Sequence, residues 1–279
     1  MNALSSARLP FWHVDAFTKR PFAGNPAAVF LLREVLSDAL LQRIAIEMNQ
    51  SETAFVLLRG DADRPLLRWF TTSAEIDLCG HATLAAAHVY LNENGLGGGE
   101  EVTFDTVFVG PLRVLRQGED YIMDFPARPG NEVTLDTVPI SVINALGPIQ
   151  PVAAFQARDL MLVYPTEQAV RDIAPDMSVL CNHTCMVIVT AQCTSDSKYD
   201  FISRFFCPQD SVQEDPVTGS AHCTLAPYWA ARLGKRKLFA FQASARGGEL
   251  ALELVTDRLF ITGQAVTVLD GSMRAAALL

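Results

Sequence analysis

The segment Gly80-His-Ala-Thr-Leu-Ala-Ala-Ala-His-Val-Tyr-Leu91 is helical in composition and contains no Asp, Glu, Lys or Arg. A helix so apolar on every side belongs within a sheet, not on a wetted surface. The spacing Glu75-x4-Gly80-His81-Ala82 recurs as Glu214-x4-Gly219-Ser220-Ala221, 139 residues later. The second copy also leads into an apolar run, Leu225 to Leu233. One enclosed helix in each half predicts an internal duplication. Phe125-Pro-Ala-Arg-Pro-Gly130 has the composition of a connection between two domains, 1–126 and 127–279.

Short strands surround the first helix. Phe11 to Phe17 and Ala27 to Leu32 read as strands, separated by the turn formers Arg20-Pro-Phe-Ala-Gly-Asn-Pro26. Ser37 can cap a helix whose buried face is Leu40, Leu41, Ile44 and Met48, ending near Asn49. Strands follow at Thr53–Leu58, Leu66–Phe70, Val102–Val109, Leu112–Arg116 and Tyr121–Phe125. The second half repeats the style. Its strand candidates are Pro151–Ala154, Leu160–Val163, Cys185–Val189, Tyr199–Phe206, Leu250–Val255, Leu259–Thr262 and Ala265–Leu269. Ser141–Leu146 and Ala169–Ile173 read as helices.

A helix start offers unpaired backbone N–H groups and the positive end of the dipole. Gly80-His81 and Gly219-Ser220 are therefore two places where a carboxylate or enolate oxygen can be held, with glycine permitting close approach. Ordinary capping is the competing account of each, and their repetition favours a cleft shared between the halves. Ser51-Glu52 lies where an apolar helix passes into an apolar strand. A partly buried Glu52, its pKa moved toward neutrality, suits general acid–base work. A solvated loop glutamate is the commoner fate. His81, at the first helical turn, is expected to be a neutral ring. Asp215 can hold a substrate amine or hydroxyl, or orient His81, or simply cap the second helix.

Composition excludes several classes. With 49% apolar residues and 19% charged, the chain is neither disordered nor a small disulfide-dependent scaffold. A net charge of -9 argues against nucleic acid, and the one basic cluster, Arg232 with Lys235 to Lys237, reads as a helix end. No run reaches the length of a membrane span and the first residues lack a signal-peptide core, so a soluble cytoplasmic protein is expected. The six cysteines read as free thiols, and Cys181-x3-Cys185 lacks the spacing of a common zinc site. Dinucleotide, P-loop and nucleophile-elbow fingerprints are absent from the sequence.

Four ordered motifs carry a family resemblance: Phe17-x4-Phe22-Ala-Gly-Asn-Pro26, Met48-Asn-Gln-Ser-Glu-Thr53, Asp77-Leu-Cys-Gly-His-Ala-Thr83 and Glu214-Asp-Pro-Val-Thr-Gly-Ser-Ala221. Together they resemble the phenazine-biosynthesis PhzF-like isomerases. The resemblance implies an α+β, diaminopimelate epimerase-like fold: two pseudo-symmetric domains, each a curved, mostly antiparallel sheet around a central helix. It also implies a cofactor-independent isomerase, often a homodimer; a small carboxylate substrate and no metal are expected. The family's acid–base glutamate falls on Glu52, its partner histidine on His81 and its substrate-orienting aspartate on Asp215. Asn25, Ser51, Cys79, Gly80, Thr218, Gly219 and Ser220 are the expected substrate-binding positions. Diaminopimelate epimerase is similar in fold but works with two opposed cysteines. Cys79 matches the first and Thr218 the second, which speaks against a two-thiol mechanism here. The alternatives are an epimerase or racemase of a small amino or hydroxy acid, and a non-catalytic binding or interaction protein.

Overall fold

The computed structural model describes residues 8–60, 64–92, 99–183, 186–208 and 213–274. Cys185 lies outside the described residues. The chain forms two compact units, one from the described residues of Met1–Asp124 and Thr262–Leu279, the other from Phe125–Ile261.

In the first unit, β1 (Arg8–Ala16) runs antiparallel to β2 (Asn25–Leu32), with Phe11 opposite Phe30. The helix α1 (Asp38–Met48) then crosses back so that β3 (Glu52–Leu57) lies parallel to β2, as a crossover connection permits. Ser37 caps α1 by accepting the Leu40 N–H, as its position predicts. Leu41, Ile44 and Ala45 of α1 pack on the Phe30, Phe55 and Phe70 rings. The antiparallel β4 (Leu66–Phe70) and the two-residue β5 (Glu75–Ile76) lead into α2 (Gly80–Asn92).

The helix α2 packs against β1, β2 and β3. Ala82, Leu84, Ala85, Ala86, Ala87 and Val89 are all fully enclosed. Its run of alanines lets backbone and sheet approach closely, while burying Leu84 contributes about 1.5–3 kcal/mol. Next come β6 (Glu101–Thr106), β7 (Leu112–Gln117) and β8 (Asp120–Pro126), paired in antiparallel order. The expected strand to Val109 stops at Thr106. Thr106 Oγ1 donates to the Gly110 carbonyl at 2.7 Å and accepts the Val109 N–H at 3.2 Å, turning Val107–Val109 outward.

A strand at Ala265–Arg274 closes this unit by pairing antiparallel with β1, Gly271 opposite Phe11. A continuous second half, 127–279, therefore does not describe the chain. Residues 262–274 return to the first unit because β1 has two edges to satisfy and β2 covers only one.

The second unit begins with β9 (Asn131–Val133), α3 (Ile140–Ala145), β10 (Ala153–Gln156), β11 (Leu160–Val163), α4 (Glu167–Arg171) and α5 (Met177–Leu180). It continues through β12 (Val187–Gln192), β13 (Phe201–Phe206), α6 (Gly219–Leu233), β14 (Lys237–Gln242) and β15 (Gly248–Val255). The sheet is mixed: β11 pairs parallel with β12 and β13 with β14, the other neighbours antiparallel. The basic cluster is divided, since Arg232 closes α6 while Lys237 opens β14. Trp229 stacks on Phe201 with ring centroids 5.6 Å apart, and its indole N–H donates to Thr190 Oγ1 at 3.0 Å.

Pro227 stands inside α6 and has no N–H to give the Cys223 carbonyl one turn earlier. That carbonyl instead accepts the backbone N–H of Arg128 at 2.8 Å. A break that would leave a buried acceptor unpaired is thus repaired from outside the helix.

Candidate active site

Three local devices bring the first set of side chains together. Before β2, the backbone takes positive φ at Phe17, Phe22 and Gly24. A Cβ on Gly24 would lie 2.1 Å from the Ala16 carbonyl oxygen, so only glycine fits. The buried Asp15 accepts the Phe22 N–H at 2.7 Å, and the tight turn delivers Asn25 as the first residue of β2. After α1, Asn49 ends the helix in a left-handed conformation, φ 49°. The chain then enters β3 at Glu52, opposite Ala27, with Ser51 Oγ donating to the Pro26 carbonyl at 3.4 Å. At α2, Thr83 N–H and Oγ1 both donate to the Cys79 carbonyl, at 3.1 and 2.5 Å, fixing Cys79, Gly80 and His81 on the opening turn.

These elements converge on the imidazole of His81. Glu52 Oε2 lies 3.0 Å from its Nε2 and Ser51 Oγ 3.5 Å from the same atom. On the other nitrogen, Asn25 Nδ2 lies 3.0 Å and Cys79 Sγ 3.4 Å from Nδ1. The His81 side chain is 5% exposed and that of Glu52 17%. The Glu52–His81 contact is an ion pair by distance, yet Oε2 has no aligned hydrogen-bond donor among the described residues. One lone pair of a largely buried carboxylate is left to take a proton.

The electrostatics reverse two expectations. Burial pushes Glu52 upward, but the charge of His81, the largest opposing influence, leaves the carboxyl below its ordinary range. Burial pulls His81 down, but Cys79 and Glu52 together raise it well above the ordinary imidazole value. The ring is therefore not the neutral one that its helix-start position predicts. An adjacent carboxylate acts at closer range than the dipole of one helical turn. For Cys79, burial and then the Glu52 charge push the thiol up.

The second set gathers at the start of α6. Thr218 is the N-cap residue, and its Oγ1 donates to Asp215 Oδ2. Ser220 Oγ accepts from Arg158 Nη2 at 3.0 Å, and Arg158 is itself paired with Asp159. The brace of this loop is Gln242, a residue the sequence reading did not single out. Fully buried at the end of β14, it accepts the Thr218 N–H at 2.8 Å. Its amide nitrogen donates to the Asp215 carbonyl at 2.7 Å and to Thr218 Oγ1 at 3.0 Å. Glu214 forms a two-pronged pair with Arg204, at 2.8 and 2.9 Å, and so is structural. Arg158 also goes unmarked in the sequence, since a lone arginine in the connection between β10 and β11 carries no signal of its own.

Comparison with known proteins defines the class. The structure of an Enterococcus faecalis PhzF-family protein superimposes with a TM-score of 0.87 at 41% identity, covering 96% of this chain and 99% of that one. A Clostridium difficile PhzC/PhzF protein gives 0.85 at 41%, over 95% and 99%. An uncharacterized isomerase of Pseudomonas aeruginosa is 50% identical over 269 residues, 96% of this chain and 99% of the relative. The fold is the α+β, diaminopimelate epimerase-like architecture. Residues 14–271 match the phenazine biosynthesis-like protein family, PhzC-PhzF, and the chain belongs to that family of isomerases.

Proposed function

We propose that the protein is a cofactor-independent isomerase that moves a proton between carbons of a small unsaturated or cyclic carboxylate, with Glu52 as the shuttle. The observation that carries this reading is Glu52 Oε2, 3.0 Å from His81 Nε2 but without an aligned donor. An ionised carboxylate is ready to accept a proton from a carbon next to a conjugated system. Once protonated, it sits beside an imidazolium, which favours its giving the proton back. His81 and the N–H groups opening α2 then stabilise negative charge as it develops on the ligand. One carboxyl group serves both steps when the two carbons share a ligand face.

The same proposal assigns Asn25 and Ser51 to shaping and positioning, and Asp215, Thr218, Gly219 and Ser220 to holding polar groups of the substrate. It describes a cytoplasmic homodimer. Turnover of small carboxylates in deuterated water tests the chemistry. A displaced double bond, with the transferred hydrogen kept from the substrate or partly replaced by deuterium, supports the shuttle; deuterium at one inverted centre with no displaced bond assigns an epimerase instead. Glu52→Gln is expected to lose about 10²–10⁴-fold in kcat. A folded Glu52→Gln with full turnover refutes the assignment.

A further inference from the structure

We propose that Glu52, Cys79 and His81 also form an inhibitory binding site for Zn2+. One oxygen, one sulfur and one nitrogen donor from these residues lie within 4.8 Å of one another. Among the described residues no second trio of His, Cys, Asp and Glu side chains meets this condition. Two edges of the trio bracket those of a small tetrahedral ion, and the third pair of donors lies within 4.8 Å. Zinc bonds of about 2.0–2.3 Å place neighbouring donors roughly 3.3–3.6 Å apart. Here His81 Nε2 lies 3.0 Å from Glu52 Oε2 and 3.9 Å from Cys79 Sγ, on either side of that span. Small side-chain rotations close the difference.

The donor set selects the cation. A thiolate and an imidazole favour zinc over the oxygen-seeking Mg2+ and Ca2+. Three protein donors leave a fourth position for water, the arrangement of an open zinc site. Glu52 is the less buried of the pair it forms with His81, its side chain 17% exposed against 5%. Asn25 supplies the outer support: its amide, 3.0 Å from Nδ1, orients the ring and leaves Nε2 for the metal. With the amide turned to present its oxygen, it accepts the Nδ1 proton.

The step is an exchange of protons for metal, without redox change. The Cys79 thiol proton and the Nε2 proton of His81 leave to solvent as the S–Zn and N–Zn bonds form, and Glu52 binds as the carboxylate. The ion then occupies the Glu52 lone pair and the His81 nitrogen used in the proposed shuttle, so bound zinc excludes turnover. That inhibition rests on the isomerase reading; the binding does not, and it is measured without substrate.

Co2+ titration of chelator-treated protein reads the site directly through the thiolate-to-cobalt charge-transfer band. The expected result is one Co2+ per chain, displaced by Zn2+, with the band lost in Cys79→Ser and kept in Cys181→Ser, which removes an exposed thiol. Glu52→Gln, close in shape to the native side chain, carries the test if Cys79→Ser fails to fold; it should weaken Zn2+ at least tenfold. Asn25→Ala should cost about 10–100-fold in affinity. A band that survives Cys79→Ser, unchanged Zn2+ affinity in Glu52→Gln, or no one-to-one binding tighter than about 10 µM overturns the proposal.

Discussion

Asn25 Nδ2 stands 3.0 Å from His81 Nδ1 while Glu52 Oε2 stands 3.0 Å from Nε2, so both ring nitrogens are engaged from different strands. On the proposed mechanism Asn25 is a positioning residue. Asn25→Ala should lower kcat about 10–100-fold with little change in KM, because a slightly turned ring no longer matches the reacting geometry. Asn25→Asp, which accepts the Nδ1 proton as the amide oxygen does when the amide is turned toward the ring, should recover most of the loss. Equal kcat in all three proteins refutes the role.

The repair in α6 makes a double-mutant prediction. Arg128→Pro removes the N–H that satisfies the Cys223 carbonyl and should cost about 1–3 kcal/mol. In a Pro227→Ala background the helix supplies its own donor, so the same substitution should cost less. Urea denaturation of the four proteins measures the coupling, expected at about 1–2 kcal/mol. Additive effects would mean that the Arg128 N–H is not the compensation.

Gly24 combines a φ of 64° with a Cβ position that overlaps the Ala16 carbonyl. Gly24→Ala should destabilise by more than about 3 kcal/mol, since backbone on both sides must shift. The turn also delivers Asn25 to His81, so residual folded protein should have reduced kcat. A thermal midpoint equal to that of the native protein excludes the clash.

His222 gives a pH dependence in the second unit. It is fully buried, Nδ1 donates to the Thr218 carbonyl at 2.7 Å, and burial pulls its pKa down to about 4. The unfolded chain takes up a proton below about pH 6.5 that the folded protein refuses until about pH 4. Stability should therefore fall as pH drops through that window, by about 2 kcal/mol between pH 7 and 5 from this residue. His222→Asn, which keeps a donor toward Thr218, should remove that part of the loss in urea midpoints. An undiminished loss shows that His222 takes its proton in the folded state too.

Much of the architecture was legible because it follows from periodicity. The charge-free run after Gly80 places α2 inside, Ser37 and Asn49 mark both ends of α1, and Leu66–Phe70 and Leu160–Val163 are strands at their expected bounds. The Ser51-Glu52 and Gly80-His81 junctions mark in sequence two of the segments that meet around the His81 ring. What the pattern hid was tertiary. The strand Lys237–Gln242 lies behind a basic cluster that resembles a helix end. Pro227 argues against an interior helical position until the Arg128 N–H is known. The charge states of Glu52 and His81 depend on each other, so neither could be read from its own neighbours in sequence.

The pairing of β1 with Ala265–Arg274 sets an order of events during synthesis. As the chain leaves a ribosome, β1 emerges early, but its partner follows the whole of the second unit. The later-made unit has all its strands first, reversing the usual amino-to-carboxyl order of maturation. Until then one side of β1 is an open edge, ready to pair with another nascent chain. Translation that stops short of residue 265 should yield aggregates, not a smaller working protein.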